Sequence, residues 1–135
     1  MAYIDWSEKL SVKVAIIDKQ HKKLIEIIND LYDAMQKGKG KEVLEDVFTR
    51  LVDYVKTHFK TEERLMAEYN YPERNVHEGQ HNDLTYQVGQ LAVKAQAGKI
   101  TVTLETMAFL KDWLYNHILK TDAKLGQYLV DKGLH

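Results

Sequence analysis

Apolar residues recur three and four positions apart through most of this sequence, a rhythm that gathers them on one face of an α-helix and does not suit the strict alternation of a half-buried strand. From Asp18, a good N-cap residue, the series runs through Leu24, Ile25, Ile28, Leu31 and Met35 until "KGKGK" interrupts it. Leu44, Val47, Phe48, Leu51, Val55, Leu65 and Tyr69 predict a long second helix, which "NYPE" stops because Pro72 disfavours helical backbone at Tyr71. Pro72 suits the first turn of a third helix, which carries Leu84, Val88, Leu91 and Ala95 to a turn at Gly98. A fourth begins near Thr101 or Thr103 and carries Met107, Leu110, Leu114 and Ile118, then Leu125 and Leu129. Short connections between long helices favour antiparallel neighbours. The expectation is therefore an all-α, up-down-up-down four-helix bundle, one domain over residues 1–135, with an extended N-terminal arm at 1–17 and the bundle at 18–135. A length of 135 residues, 44% of them hydrophobic, is enough for one real core.

The histidines fall on the apolar stripes. His21 precedes Leu24 and Ile28, His58 follows Leu51 and Val55, His77 and His81 lead into Leu84 and Val88, and His117 continues the line of Leu110 and Leu114. Five of the six histidines thus head for the core, and only terminal His135 does not. One core histidine can hydrogen-bond to a neighbour. Five imidazoles converging from every helix, with only each other as partners, leave polar atoms unsatisfied unless a metal takes them.

Two carboxylates complete the set. In "HFKTEE", His58 and Glu62 lie one turn apart on one helical face, whereas Glu63 points about a quarter turn away and reads as a surface charge. Asp122 lies five residues after His117, so the two can share a site only where the helix loosens, kinks or ends, which predicts an irregularity near Lys120 and Thr121. Glu78 and His81 form a single E-x-x-H pair, short of the two that ferritin-like di-iron sites need. Trp113, Tyr54, Tyr69 and Tyr115 read as core aromatics.

Composition narrows the chemistry. With no cysteine, any metal must be held by nitrogen and oxygen, and disulfides, thiolate nucleophiles and cysteine-based zinc or cluster sites are excluded. Five imidazoles and two carboxylates exceed a tetrahedral zinc site and suit two octahedral ions. If Glu62 and Asp122 each bridge both ions and one oxygen species also bridges, six terminal places remain for five histidines. One place stays open for a small exogenous ligand, and dioxygen suits a pair of irons because the pair can supply two electrons. A formal net charge of -1 with intermixed signs favours neither nucleic acid nor a lipid surface. The opening "MAYIDWSEKL" has no leader pattern and no stretch suits membrane insertion, so the chain reads as cytoplasmic.

At "DKQHKKL", "HFKTEE", "HEGQH" and "WLYNHILKTD" the sequence resembles the hemerythrin family, specifically its bacterial single-domain members. The resemblance implies a four-helix bundle with two non-haem iron ions and a bridging oxygen species, binding dioxygen reversibly. It implies that His77, His81 and His117 hold one iron, that His21 and His58 hold the other, and that Glu62 and Asp122 bridge them. Leu24, Phe59, Trp113, Leu114 and Ile118 are the expected lining of the oxygen pocket, which offers no acid or base for peroxide or nitric oxide chemistry. A sensor needs an output domain, and nothing in the sequence reads as one. The expectation is a non-enzymatic oxygen carrier or store, with an oxygen- or redox-sensing module or a di-iron enzyme acting on peroxide or nitric oxide as the alternatives, and an oxygen-consuming enzyme as the candidate protein partner.

Overall fold

The computed structural model describes residues 3–38, 41–96 and 104–135, without the side chains of 41–44, 94–96, 104–105 and 118–119. Its helices are α1 (Ala15–Gln36), α2 (Lys41–Glu68), α3 (Arg74–Gln96), α4 (Leu104–Asn116) and α5 (Ala123–Asp131), and a π-helical segment, His117–Asp122, joins the last two into one rod. The result is the expected four-helix bundle, with no strand among the described residues. α1 packs on α2, α2 on α3, and α4 on α1. The turn expected at Gly98, the helix start expected near Thr101 or Thr103, and the side chains of Leu44, Ala95 and Ile118 lie outside the described residues.

Three boundaries differ from the sequence reading. α1 begins at Ala15, with Val14 in the flanking position, so Asp18 is a first-turn residue and not the cap. Its carboxylate accepts hydrogen bonds from Ser11 Oγ (2.5 Å) and the Val12 amide (2.8 Å), which ties the preceding segment to the positive end of the helix. α2 ends at Glu68, short of the expected Tyr69, and two residues on Asn70 at φ +54 makes a left-handed stop that asparagine tolerates, while the Tyr71 amide donates back to the Met66 carbonyl. Pro72 sits in the turn that follows, two residues before α3.

Residues 3–14 are bound to the bundle at several points. The Ile4 amide donates to Asn29 Oδ1 (2.8 Å) and Asn29 Nδ2 donates to the Ile4 carbonyl (2.9 Å), while Ile4, Leu10, Val12 and Val14 are all buried. Gly126 meets this segment so closely that a Cβ there would lie 2.5 Å from the Val12 carbonyl oxygen.

The core is in two parts. One cluster contains Leu24, Ile28, Leu51, Val55, Val88, Leu110 and Leu114, and the other contains Val12, Val14, Ile17, Leu65, Met66, Leu125 and Leu129. α1, α2 and the last rod each pass from one to the other through a polar step, while α3 adds its apolar residues to the first cluster alone. On α1 it is Ile17, His21, Leu24; on α2 it is Val55, His58 and Glu62, Leu65; on the last rod it is Leu114, His117 and Asp122, Leu125.

A buried histidine and carboxylate layer

The polar layer between the two apolar clusters contains His21, His58, Glu62, His77, His81, His117 and Asp122, every one of them at most 3% exposed. Their ligand-type atoms form two groups within 4.8 Å, one of His21, His58, Glu62, His117 and Asp122, the other of Glu62, His77, His81 and Asp122. Glu62 and Asp122 belong to both.

Local sequence places each side chain. His58 and Glu62 share a face of α2, with Nε2 and Oε1 3.5 Å apart, and His77 and His81 share a face of α3. The π segment covers the predicted irregularity at Lys120 and Thr121 and resolves the five-residue spacing, because an i to i+5 repeat returns Asp122 to the side of His117. Asp122 Oδ2 then lies 2.6 Å from His21 Nε2, 2.8 Å from His117 Nε2 and 3.2 Å from His58 Nε2. Asp122 Oδ1 is 3.2 Å from His77 Nε2, and Glu62 Oε1 is 3.0 Å from His81 Nε2.

Close approach does not satisfy these atoms. Glu62 Oε2, His77 Nε2, His117 Nε2 and Asp122 Oδ1 are buried without an aligned hydrogen-bond partner, a costly arrangement for a protein interior. Each is a lone-pair atom of the kind that binds a metal, and the set is all nitrogen and oxygen, which suits borderline divalent ions such as iron. The residues therefore fit a metal centre.

Without metal, protons take up part of the imbalance. Burial lowers His77 and His117, but the nearby Asp122 and Glu62 carboxylates reverse this and push the two imidazoles up to about 9 and about 10. Burial pushes both carboxyls up, as does the charge of Asp122 on Glu62, yet the surrounding imidazoles hold Glu62 and Asp122 well below the usual carboxylate range. His21 is the exception, since burial outweighs Asp122 and lowers it.

Aromatic rings fix several imidazoles from outside. Phe59 stacks on His81 with centroids 3.9 Å apart and planes within 5°, and Trp113 lies parallel to His117 at 6.2 Å. Leu24, Phe59, Trp113 and Leu114 are buried in one apolar cluster beside the layer. Trp113 and His117 also form part of the wall of an open groove of about 640 Å³ that includes Gln80, Leu84, Phe109 and Thr121, whereas Leu24, Phe59 and Leu114 do not line it.

Glu63 corrects the reading from sequence. It is not a free surface charge: Oε2 accepts a hydrogen bond from His81 Nδ1 at 3.0 Å, and the side chain is 35% exposed. Gln20 and Thr61 were missed altogether. Gln20 Oε1 lies 2.8 Å from His58 Nδ1, and Gln20 Nε2 donates to Thr61 Oγ1 (2.9 Å). Their only sequence signal was adjacency to His21 and Glu62, which by itself points a side chain elsewhere. Glu78 pairs with Arg74 on the surface (3.0 Å), and His135 is exposed. Tyr54, Tyr69 and Tyr115 pack, partly buried, against the two apolar clusters.

An all-α bundle whose helices each send histidines into one buried layer bridged by two carboxylates is a metal-binding four-helix protein. Residues 12–129 match the hemerythrin HHE cation binding domain, and the chain belongs to the hemerythrin family, which binds oxygen at a di-iron centre. It is 38% identical over 123 residues to a bacteriohemerythrin of Pseudomonas aeruginosa (strain LESB58), covering 91% of this chain and 79% of that one. A bacteriohemerythrin of Methylococcus capsulatus is 34% identical over 130 residues, covering 96% and 98%. The crystal structure of a wild-type hemerythrin superposes with a TM-score of 0.89 at 32% identity, covering 95% of this chain and 98% of that one. No described helix is long and apolar enough to cross a membrane.

Proposed function

We propose that this chain is a non-enzymatic carrier or store of dioxygen, binding it reversibly at two non-haem irons with a bridging oxygen species. The observation that carries the reading is the buried layer in which Glu62 and Asp122 are shared by two groups of imidazoles. His77, His81 and His117 would hold one iron, His21 and His58 the other, with Glu62 and Asp122 bridging. Proximity alone also puts His117 near His21 and His58, through Asp122 Oδ2. The assignment of His117 to His77 and His81 follows the motif "WLYNHILKTD" and the family resemblance.

The bound irons would supply two electrons to dioxygen and recover them on release. The protein's own part is to hold seven ligands still and to keep water out. Phe59 and Trp113 restrain the His81 and His117 rings by stacking. Leu24, Phe59 and Leu114 make an apolar wall of the kind that stays dry, and they offer no acid or base for turnover. Ile118 completes the proposed lining. We read the chain as a single cytoplasmic domain, and an oxygen-consuming enzyme is the class of protein partner that such a carrier or store would serve.

The test is anaerobic reduction of the iron-loaded protein, followed by repeated cycles of air and vacuum under absorption spectroscopy. A reversible colour change with about two irons per chain supports the carrier. Catalytic consumption of oxygen or peroxide, or a single tightly bound zinc after growth in iron-rich medium, overturns it.

A further inference from the structure

Consecutive glutamates on α2 grip the two ends of one α3 ring. Glu62 Oε1 lies 3.0 Å from His81 Nε2, and Glu63 Oε2 lies 3.0 Å from His81 Nδ1. Phe59, one turn earlier on α2, covers the face of the same ring at 3.9 Å. Positions i, i+3 and i+4 form a triangular patch on a helix, so Phe59, Glu62 and Glu63 constitute one cradle for His81.

Chemistry sets the direction of the outer contact. An ionised carboxylate only accepts, so the contact with Glu63 places a proton on Nδ1, and Nε2, which faces Glu62, is the ring nitrogen that would meet a metal.

His58 is held differently. Thr61 Oγ1 donates to the Thr57 carbonyl (3.1 Å) and accepts from Gln20 Nε2 (2.9 Å), which turns the Gln20 carbonyl oxygen toward His58 Nδ1 (2.8 Å). A helix carbonyl thereby fixes the orientation of an amide, and the amide fixes the histidine tautomer. The outer partner of His58 is neutral, that of His81 is anionic, and Nδ1 of His21 and of His117 has none.

We propose that Glu63 is a positioning residue that, set against the neutral Gln20 behind His58, makes the two ends of the metal centre electronically unequal. This rests on the division of ligands proposed above. A carboxylate behind an imidazole makes it a more basic ligand and favours the more oxidised metal, while an amide does so less. The His77, His81 and His117 end is then the easier to oxidise, on account of a residue that touches no metal.

Three measurements test it: iron release to a chelator, the midpoint potential of the iron-loaded protein, and exchange of the His81 ring proton by 15N NMR in metal-free protein. In Glu63→Gln, which keeps the shape and removes the charge, iron release is expected to accelerate about 10–100-fold and the potential to rise. Gln20→Glu should lower the potential. The His81 Nδ1 proton should be protected from exchange in the wild type and exchange freely in Glu63→Ala. A potential and release rate in Glu63→Gln equal to those of the wild type would overturn the proposal, as would loss of global stability with an unchanged potential, which marks a purely structural contact. Wild-type protein that takes up no iron would instead overturn the di-iron reading, and the ring-proton measurement would still judge the contact between Glu63 and His81.

Discussion

Ile17, His21 and Leu24 follow one another along α1 and none has any exposed surface, yet burial does opposite things to them. Removing Leu24 from water contributes roughly 1.5–3 kcal/mol toward folding, because nothing is lost but apolar hydration. Removing His21 strips water from two ring nitrogens and returns only one close partner, Asp122; its Nδ1 has no hydrogen bond. The same contrast holds in every helix, so two apolar clusters that assemble favourably on their own enclose a layer that does not. The lesson is that the bundle's stability comes from the clusters and its specificity for a metal from the layer they force together.

The contrast is broken most severely from the polar side. Glu62→Ala removes a carboxylate shared by both groups of imidazoles, and it should abolish most iron binding while the apolar clusters still fold the bundle. Metal analysis together with circular dichroism checks this; a variant that keeps two irons per chain would show that Glu62 is not shared.

The alkaline side of the pH dependence should change with metal. In the metal-free protein His77 and His117 titrate above their ordinary 6.5, at about 9 and about 10, so their stabilising effect is complete below 6.5 and disappears as pH rises through those values. Glu62 and Asp122 titrate below their ordinary values, so their effect is present above about pH 4.5 and lost in acid. Metal-free protein should therefore weaken on the alkaline side. Iron-loaded protein needs neutral imidazoles and should instead lose its metal in acid. Thermal unfolding of both forms across pH decides it, and parallel profiles would contradict the role given to protons.

Leu114→Ala tests the wall between the two environments. It should cost about 2–5 kcal/mol in either form. If Leu114 also keeps water from bound oxygen, the oxygenated protein should decay faster at equal iron loading. An unchanged lifetime leaves Leu114 as core packing alone.

Gly126→Ala acts within the smaller apolar cluster. The added Cβ would meet the Val12 carbonyl oxygen at 2.5 Å, and the strain should cost about 1–3 kcal/mol with iron content unchanged. Loss of iron in this variant would show that the cluster and the layer are not separable.

Much of this architecture was legible in the order of residues. A helix advances about 100° per residue, so apolar positions three and four apart define its buried face, and a histidine on the same stripe must enter the same interior. That alone brought His21, His58, Glu62, His77, His81 and His117 together, and the five-residue interval to Asp122 demanded the irregularity that the π segment supplies. The family match confirms the fold these patterns implied. What a stripe does not specify is which neighbour stands just beside it. Glu63 lies at the edge of the buried face of α2, and whether it meets water or His81 depends on how α3 is rotated and how near it packs. Gln20 stands one residue from His21 and reaches back to His58 on another helix. Asp18 looked like a cap because capping is local, but the strand of chain folding back over it brought Ser11 and Val12 into reach. Periodicity along one helix sets which side chains are buried together; the relative rotation of two helices, which no single helix encodes, sets which of their edge residues touch.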